Sequence, residues 1–167
     1  MDDAALAQLA RRAGEMLLAA RRRVVTVESC TGGWVAKCLT DIAGSSQWFE
    51  RGYVTYSNLA KEQSLGVAPA VIETFGAVSR PTAEQMASGA LYASGADVAV
   101  AVTGIAGPDG GTIDKPVGLV WFALAQPGAA GVAVEHRFGG DREAIRRASV
   151  ATALRLLIAA AGAPPRP

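Results

Sequence analysis

Val24-Val25-Thr26-Val27-Glu28-Ser29-Cys30-Thr31-Gly32-Gly33 passes from an apolar run into a polar turn that ends on two glycines. Beyond it, Trp34, Val35, Cys38, Leu39 and Ile42 recur at helical spacing until Gly44. The first part reads as a buried strand and the last as a helix over residues 32–43. Strand, tight turn and helix in succession are the unit of an α/β fold. The turn sets a small hydroxyl residue, Ser29, at a helix N-terminus. Such a turn can hold a nucleophile and offer backbone N–H groups to an anion or a developing oxyanion.

Working outward, the alternation repeats. Residues 3–21 carry Leu6, Leu9, Ala10, Ala13, Met16, Leu17 and Ala20 at helical spacing, with Asp2 or Asp3 placed to cap the start. Residues 51–56 read as a second strand. Ser57 or Asn58 then caps a short helix that carries Lys61 and ends near Gly66, and another short helix covers 69–75. Pro81 and Thr82 open a helix running to about Ser94, proline suiting the first turn. Asp97–Thr103 is the clearest buried strand, and a glycine-rich loop follows from Gly104 to about Pro116. Strands at about 117–125 and 132–138 are joined by Gln126-Pro127-Gly128. A closing helix covers about 141–161, capped by Asp141. This order predicts a three-layer α/β/α domain with a mixed central sheet. A single domain is expected over 1–162, with a loose tail at 163–167.

Composition narrows the function. The 167 residues are half hydrophobic, enough for one domain with a full core. Sixteen basic against fifteen acidic residues give a net charge of +1 and no electrostatic footprint for nucleic acid. Arg21-Arg22-Arg23 is the one basic cluster, read as the solvated end of the first helix, where cations suit the dipole, rather than as an anion or partner site. No apolar stretch reaches the roughly 20 residues that span a bilayer, so no membrane association is expected. The N-terminus, opening on Asp2 and Asp3, lacks the pattern of a signal peptide. Cys30 and Cys38 make no disulfide framework, and no cluster of ligand residues points to a metal. A cytoplasmic protein without metal or cofactor is expected.

In open α/β sheets, ligands sit beyond the carboxyl ends of the strands. Glu28–Gly33, Tyr56–Lys61 and Thr103–Gly111 all fall there, which predicts one shared site. Serine is a poor nucleophile without a base. The only histidine, His136, lies on a late strand and is expected to face solvent, so a Ser-His-Asp triad is not at hand. Lys61 offers the alternative, provided burial or a neighbouring cation lowers its pKa from about 10.4. Tyr56 is placed to relay a proton or orient the amine. Spacing alone also admits, and by itself favours, a plainer assignment, with Ser29 a helix cap, Lys61 solvated and Tyr56 in the core. Cys30 is a rival nucleophile, but without an activating histidine it reads as a small buried residue. The loop at 103–111 lacks both the P-loop and the G-x-G-x-x-G pattern, so its glycines are either a ligand approach or a turn. Arg142 at the start of the last helix either holds a phosphate or lies on the surface.

The motifs ESCTGG (28–33), YSNLAK (56–61), TGIAGPDGG (103–111), KPVG (115–118) and GDR (140–142), in this order, resemble the CinA C-terminal domain family. They are especially similar to its stand-alone bacterial members that deamidate nicotinamide mononucleotide. The resemblance covers about residues 5–160. It implies an α/β/α amidase of the Ser/Lys type that converts nicotinamide mononucleotide to nicotinate mononucleotide and ammonia. Carried over by motif, Ser29 is the nucleophile, Lys61 the general base and Tyr56 an assisting hydroxyl. Thr31, Gly32 and Gly33 fall at the oxyanion turn, and Thr103, Gly104, Gly107 and Arg142 fall where substrate is held. Val27 stands where alanine is usual, a mild change. No preceding domain of the longer family members is expected, and a homo-oligomer, a dimer, is. The contrasting function class is a non-catalytic nucleotide-binding or interaction module; an amidase for another small amide is a third possibility.

Overall fold

The computed structural model describes residues 1–162. In chain order it places α1 at Asp3–Ala19, β1 at Val24–Glu28, α2 at Trp34–Thr40, β2 at Phe49–Val54, α3 at Asn58–Leu65 and α4 at Pro69–Phe75. Then follow α5 at Arg80–Ser94, β3 at Val98–Gly104, β4 at Leu119–Ala125, β5 at Val132–Arg137 and α6 at Arg142–Gly162. The strands form one mixed sheet in the order β2-β1-β3-β4-β5. The pairs β1/β2 and β1/β3 are parallel, while β3/β4 and β4/β5 are antiparallel.

The pleat sends alternate side chains to opposite faces, and the two faces carry different residues. On one face Val24, Val98, Val100, Val102, Val120 and Phe122 meet Leu6, Ala10, Ala13 and Leu17 of α1 and Ile145, Leu154 and Leu157 of α6. On the other, Val25, Val27, Ala99, Ala101, Ala123 and Ala125 meet Ala83, Met86, Ala87 and Ala90 of α5. Alanine on both sides of this second layer lets α5 lie close to the sheet. The end of α3 in turn rests on α5 at Gly89, where an added Cβ would stand 1.9 Å from the Leu65 carbonyl oxygen. The three-layer arrangement is therefore the one expected.

Several boundaries differ from expectation. β2 begins at Phe49 because Trp48, 3% exposed, is drawn into the core and its carbonyl receives the Val24 N–H. Thr55 and Tyr56 consequently lie beyond the strand, as an extension leading to α3. α2 starts at Trp34, since Gly32 and Gly33 both take positive φ (63° and 95°). β4 starts after Gly118, whose φ is +93° and whose Cβ, if present, would meet the Phe138 carbonyl oxygen at 2.0 Å. α1 ends at Ala19, so the arginine run is not its last turn. Arg22 instead donates to the Ala160 carbonyl, and Arg23 pairs with Glu50 at 2.7 Å. His136 is exposed on β5 as expected, with its ring stacked on Phe138. The segment expected to be a loose tail, 163–167, lies outside the described residues. Among those described, no helix is long and apolar enough to cross a membrane.

Candidate active site

Three parallel strands end on one edge of the sheet, and the chain leaving each of them stays near that edge. The Ser29 N–H donates to the Val102 carbonyl of β3 at 3.0 Å, and the Thr55 N–H donates to the Glu28 carbonyl at 2.9 Å. These two bonds extend the ladders past β1 and bring Ser29 between the ends of β2 and β3. Ser57 caps α3 by accepting the Ala60 N–H at 3.1 Å, so Lys61 lies on the first turns of α3 and turns back toward Ser29.

The Lys61 side chain is 1% exposed, and its Nζ stands 3.2 Å from Ser29 Oγ. It also donates to the Thr55 carbonyl at 2.8 Å and the Tyr56 carbonyl at 3.4 Å. Among the described residues no carboxylate lies within ion-pair reach of it. Burial therefore holds its pKa below the ordinary lysine value. A neutral amine has two N–H donors and one lone pair. The two carbonyls can occupy the donors, which leaves the lone pair for the serine proton.

A cavity of about 190 Å³ opens on this pair, lined by Ser29, Cys30, Tyr56, Lys61, Ala77, Val78, Thr103, Gly104, Ala106 and Arg142. That is below the roughly 300 Å³ of a typical ligand pocket. It suits one small ring or amide, with the rest of a larger ligand outside. Thr103 Oγ1 donates to the Ala77 carbonyl at 2.9 Å and so fastens the 77–78 wall to β3. At Gly104 a Cβ would meet Val120 Cγ2 at 2.6 Å, so glycine keeps the end of β3 against β4. Arg142 crosses the mouth, donating to the Gly107 carbonyl at 2.6 Å and to the Tyr56 hydroxyl at 3.1 Å.

Of the residues singled out in the sequence, the structure gathers Ser29, Tyr56, Lys61, Thr103, Gly104 and Arg142 around this cavity. Gly107 adjoins it through Arg142. Two details differ from the expected roles. Tyr56 reaches the Lys61 amine with its carbonyl, while its hydroxyl points to Arg142 and the ring is 62% exposed. The expected Thr31–Gly33 oxyanion turn is only partly open. The Gly32 N–H is taken by the Ser29 carbonyl at 3.1 Å, and the Gly33 N–H by Glu28 Oε2 at 3.0 Å. Thr31, Gly32 and Gly33 line a separate cleft of about 560 Å³ between α1, α2 and α6. Among the described residues no acceptor takes the Thr31 N–H, and the Cys30 N–H has only its own thiol beside it. The Cys30 thiol is pushed up to about 11 by burial, which keeps it protonated.

Two further residues shape the site. Glu28, 1% exposed, accepts the N–H groups of Gly33, Val35 and Ala36 at 2.8–3.0 Å and so caps α2 from the end of β1. A carboxylate closing an otherwise apolar strand was the available signal, because a buried Glu demands partners. Arg146 donates from Nε to the Cys30 carbonyl at 3.0 Å and from Nη2 to the Thr31 carbonyl at 2.9 Å. Its position four residues after Arg142, on the same helical face, was its signal. Among the described residues no cluster of three or more His, Cys, Asp or Glu side chains could hold a metal ion.

The chain matches the profile of the CinA C-terminal domain over residues 6–161. It is 55% identical over 157 residues to the nicotinamide-nucleotide amidohydrolase PncC of Escherichia coli K12, covering 94% of this chain and 95% of that one. The PncC protein of Pseudomonas putida is 51% identical, over 87% of this chain and 91% of its own. A longer CinA-like protein of Geobacter sulfurreducens is 52% identical over 91% of this chain, which corresponds to 35% of the relative. Among solved structures, the competence/damage inducible protein CihA of Agrobacterium tumefaciens superposes with a TM-score of 0.90. It is 52% identical, over 93% of this chain and 94% of that one.

Proposed function

Since the chain belongs to the CinA C-terminal domain family, and aligns almost end to end with PncC amidohydrolases, we propose that it hydrolyses the carboxamide of nicotinamide mononucleotide. The products are nicotinate mononucleotide and ammonia, and the mechanism uses Ser29 and Lys61. The observation that carries the mechanism is the buried Lys61 amine, without a carboxylate partner, 3.2 Å from Ser29 Oγ.

Neutral Lys61 takes the proton of Ser29 Oγ as the oxygen attacks the carboxamide carbon. The carbonyl π pair moves onto oxygen, and the Cys30 and Thr31 N–H groups are the donors at the turn to receive it. The residue after a nucleophile supplies such a donor in other strand-turn-helix sites. The Lys61 ammonium then protonates the departing nitrogen, and ammonia leaves an acyl-Ser29. Lys61, neutral again, draws a proton from water for the second addition. Cleavage of the Cacyl–Oγ bond then returns the proton to Ser29.

The cavity admits the pyridine ring and its carboxamide, and the ribose phosphate extends past the mouth. There Arg142 exchanges a neutral acceptor, the Tyr56 hydroxyl, for a phosphate oxygen, a charge-assisted and stronger bond. A module that only bound nucleotide would gain nothing from keeping an ammonium out of water, which favours the enzyme. The test is ammonia release from nicotinamide mononucleotide, run beside free nicotinamide and the dinucleotide. Turnover confined to the mononucleotide is expected. No ammonia from it, at enzyme concentrations giving many turnovers, refutes the proposal.

A further inference from the structure

We propose that Arg146 is a positioning residue for the nucleophile turn, setting the direction of the peptide groups between residues 30 and 32 and hence of the N–H groups that meet the oxyanion. The proposal rests on Ser29 being the nucleophile. Arg146 sits on α6, one turn beyond Arg142, and donates to two successive carbonyls, those of Cys30 and Thr31. Among the described residues no carboxylate pairs with it. Its neighbour Arg147, in contrast, pairs with both Asp3 and Glu143.

A guanidinium presents its donors in a rigid fork, so two bonds to consecutive carbonyls fix two peptide planes together. In a trans peptide the C=O and N–H point to opposite sides. Drawing the Cys30 carbonyl toward α6 therefore turns the Thr31 N–H away from α6, and among the described residues no acceptor takes that N–H. The preceding peptide is held from the other side, the Gly32 N–H donating to the Ser29 carbonyl, so the Cys30 N–H has only its own thiol beside it. A charge-assisted bond at the carbonyl also polarises its own peptide, making the N–H a stronger donor.

The competing role is structural. The Arg146 guanidinium lies 5.3 Å from the Trp34 ring centroid, and this stacking ties α6 to α2. The two roles predict different kinetics. A group acting on the oxyanion changes kcat and leaves substrate affinity nearly alone, whereas a brace between helices changes stability.

The experiment uses the full chain with Arg146→Lys, Arg146→Met and Trp34→Leu. It measures kcat and KM for nicotinamide mononucleotide across pH, with thermal unfolding of each variant. Both Arg146 variants are expected to lose about 10- to 100-fold in kcat with KM within about threefold, as a displaced catalytic group does. The pH profile should keep its midpoint, because Lys61 is untouched. Guanidinium ion at sub-denaturing concentration should restore part of the loss in Arg146→Met. Trp34→Leu should unfold at lower temperature yet keep kcat within about twofold, as a change away from the reacting groups does.

Folded Arg146 variants with wild-type kcat, or with raised KM at constant kcat, overturn the proposal. So does failure of both to fold while Trp34→Leu behaves likewise, since the role is then bracing. Retained turnover in Ser29→Ala would be a separate failure, of the nucleophile assignment itself.

Discussion

Replacing Lys61 with methionine should do two things at once: abolish turnover and raise stability. Lys61 is 1% exposed and has no carboxylate partner among the described residues. The effective cost of an ion in such a place is several kcal/mol. Hydrogen bonds to the Thr55 and Tyr56 carbonyls offset part of it, and methionine forfeits them at about 1–3 kcal/mol. The balance favours methionine by about 1–2 kcal/mol, or roughly 2–8 °C in Tm for a chain of this size. The gain should depend on pH. Burial lowers the folded-state pKa of Lys61, so between that value and the unfolded one the unfolded chain binds the extra proton. Wild-type stability accordingly rises with pH through that window. Below it the penalty is fully present, and above the unfolded value, about 10.4, it is gone. The Tm advantage of Lys61→Met therefore shrinks as the pH rises from the folded-state pKa of Lys61 toward the unfolded one. Calorimetry of both proteins at several pH values, beside ammonia release, checks this. Loss of at least about a thousandfold in kcat/KM is expected, since both acylation and deacylation lose their base. Lys61→Arg should be as inactive, because guanidinium does not deprotonate. A methionine variant destabilised equally at every pH would show that the amine is not penalised by burial, and active Lys61→Arg would show that it is not the base.

Ser29→Ala should lose all turnover while unfolding within about 2 °C of wild type, whereas Cys30→Ala should stay active, its thiol being held protonated; the reverse pattern in ammonia release transfers the nucleophile role. Arg142→Ala should raise KM for the mononucleotide more than it lowers kcat, and hydrolysis of free nicotinamide as fast as of the mononucleotide would remove the phosphate contact. Glu28→Gln should destabilise the fold by about 1–3 kcal/mol in denaturant titration, since an amide oxygen replaces a carboxylate that receives three N–H groups; an unchanged midpoint would show that α2 does not depend on this cap. Activity should survive dialysis against EDTA, and loss restored by a divalent ion would contradict a mechanism built from Ser29 and Lys61 alone.

The fold was legible because its signals are local. Val24–Glu28 and Val98–Gly104 are largely apolar runs, and Ser57 and Gly66 mark the ends of α3 with ordinary capping chemistry. The ends of β2 and α2 were misplaced because tertiary packing decides them: Trp48 is pulled inward, and two positive-φ glycines delay the helix. The Ser29, Tyr56 and Lys61 cluster was visible through motif and strand-end logic. Tyr56 shows the limit of that logic. Spacing put its hydroxyl near the amine, yet the backbone turn between β2 and α3 presents the carbonyl there and sends the ring to Arg142. Arg146 acts across 115 positions of sequence on Thr31, a pairing that no local pattern encodes.

Where anions bind is the point on which the geometry most changes the expectation. The sequence offered two helix N-termini as anion sites, at the ESCTGG turn and at the GDR turn. Both are already occupied by the chain's own carboxylates. Glu28 takes the N–H groups at the start of α2, and Asp141 accepts the Ala144 N–H at the start of α6 at 2.9 Å. A carboxylate on a helix N-terminus cancels much of the partial charge that would draw a second anion. On the proposed reading one guanidinium is left for substrate charge: Arg142 would exchange its tyrosine partner for a phosphate at the mouth, while Arg146 stays on the Cys30 and Thr31 carbonyls. Glu28 thus serves the chemistry by subtraction. It fixes the helix, keeps the Gly33, Val35 and Ala36 donors out of play, and leaves the Thr31 N–H as the donor without an acceptor beside the serine that would need it.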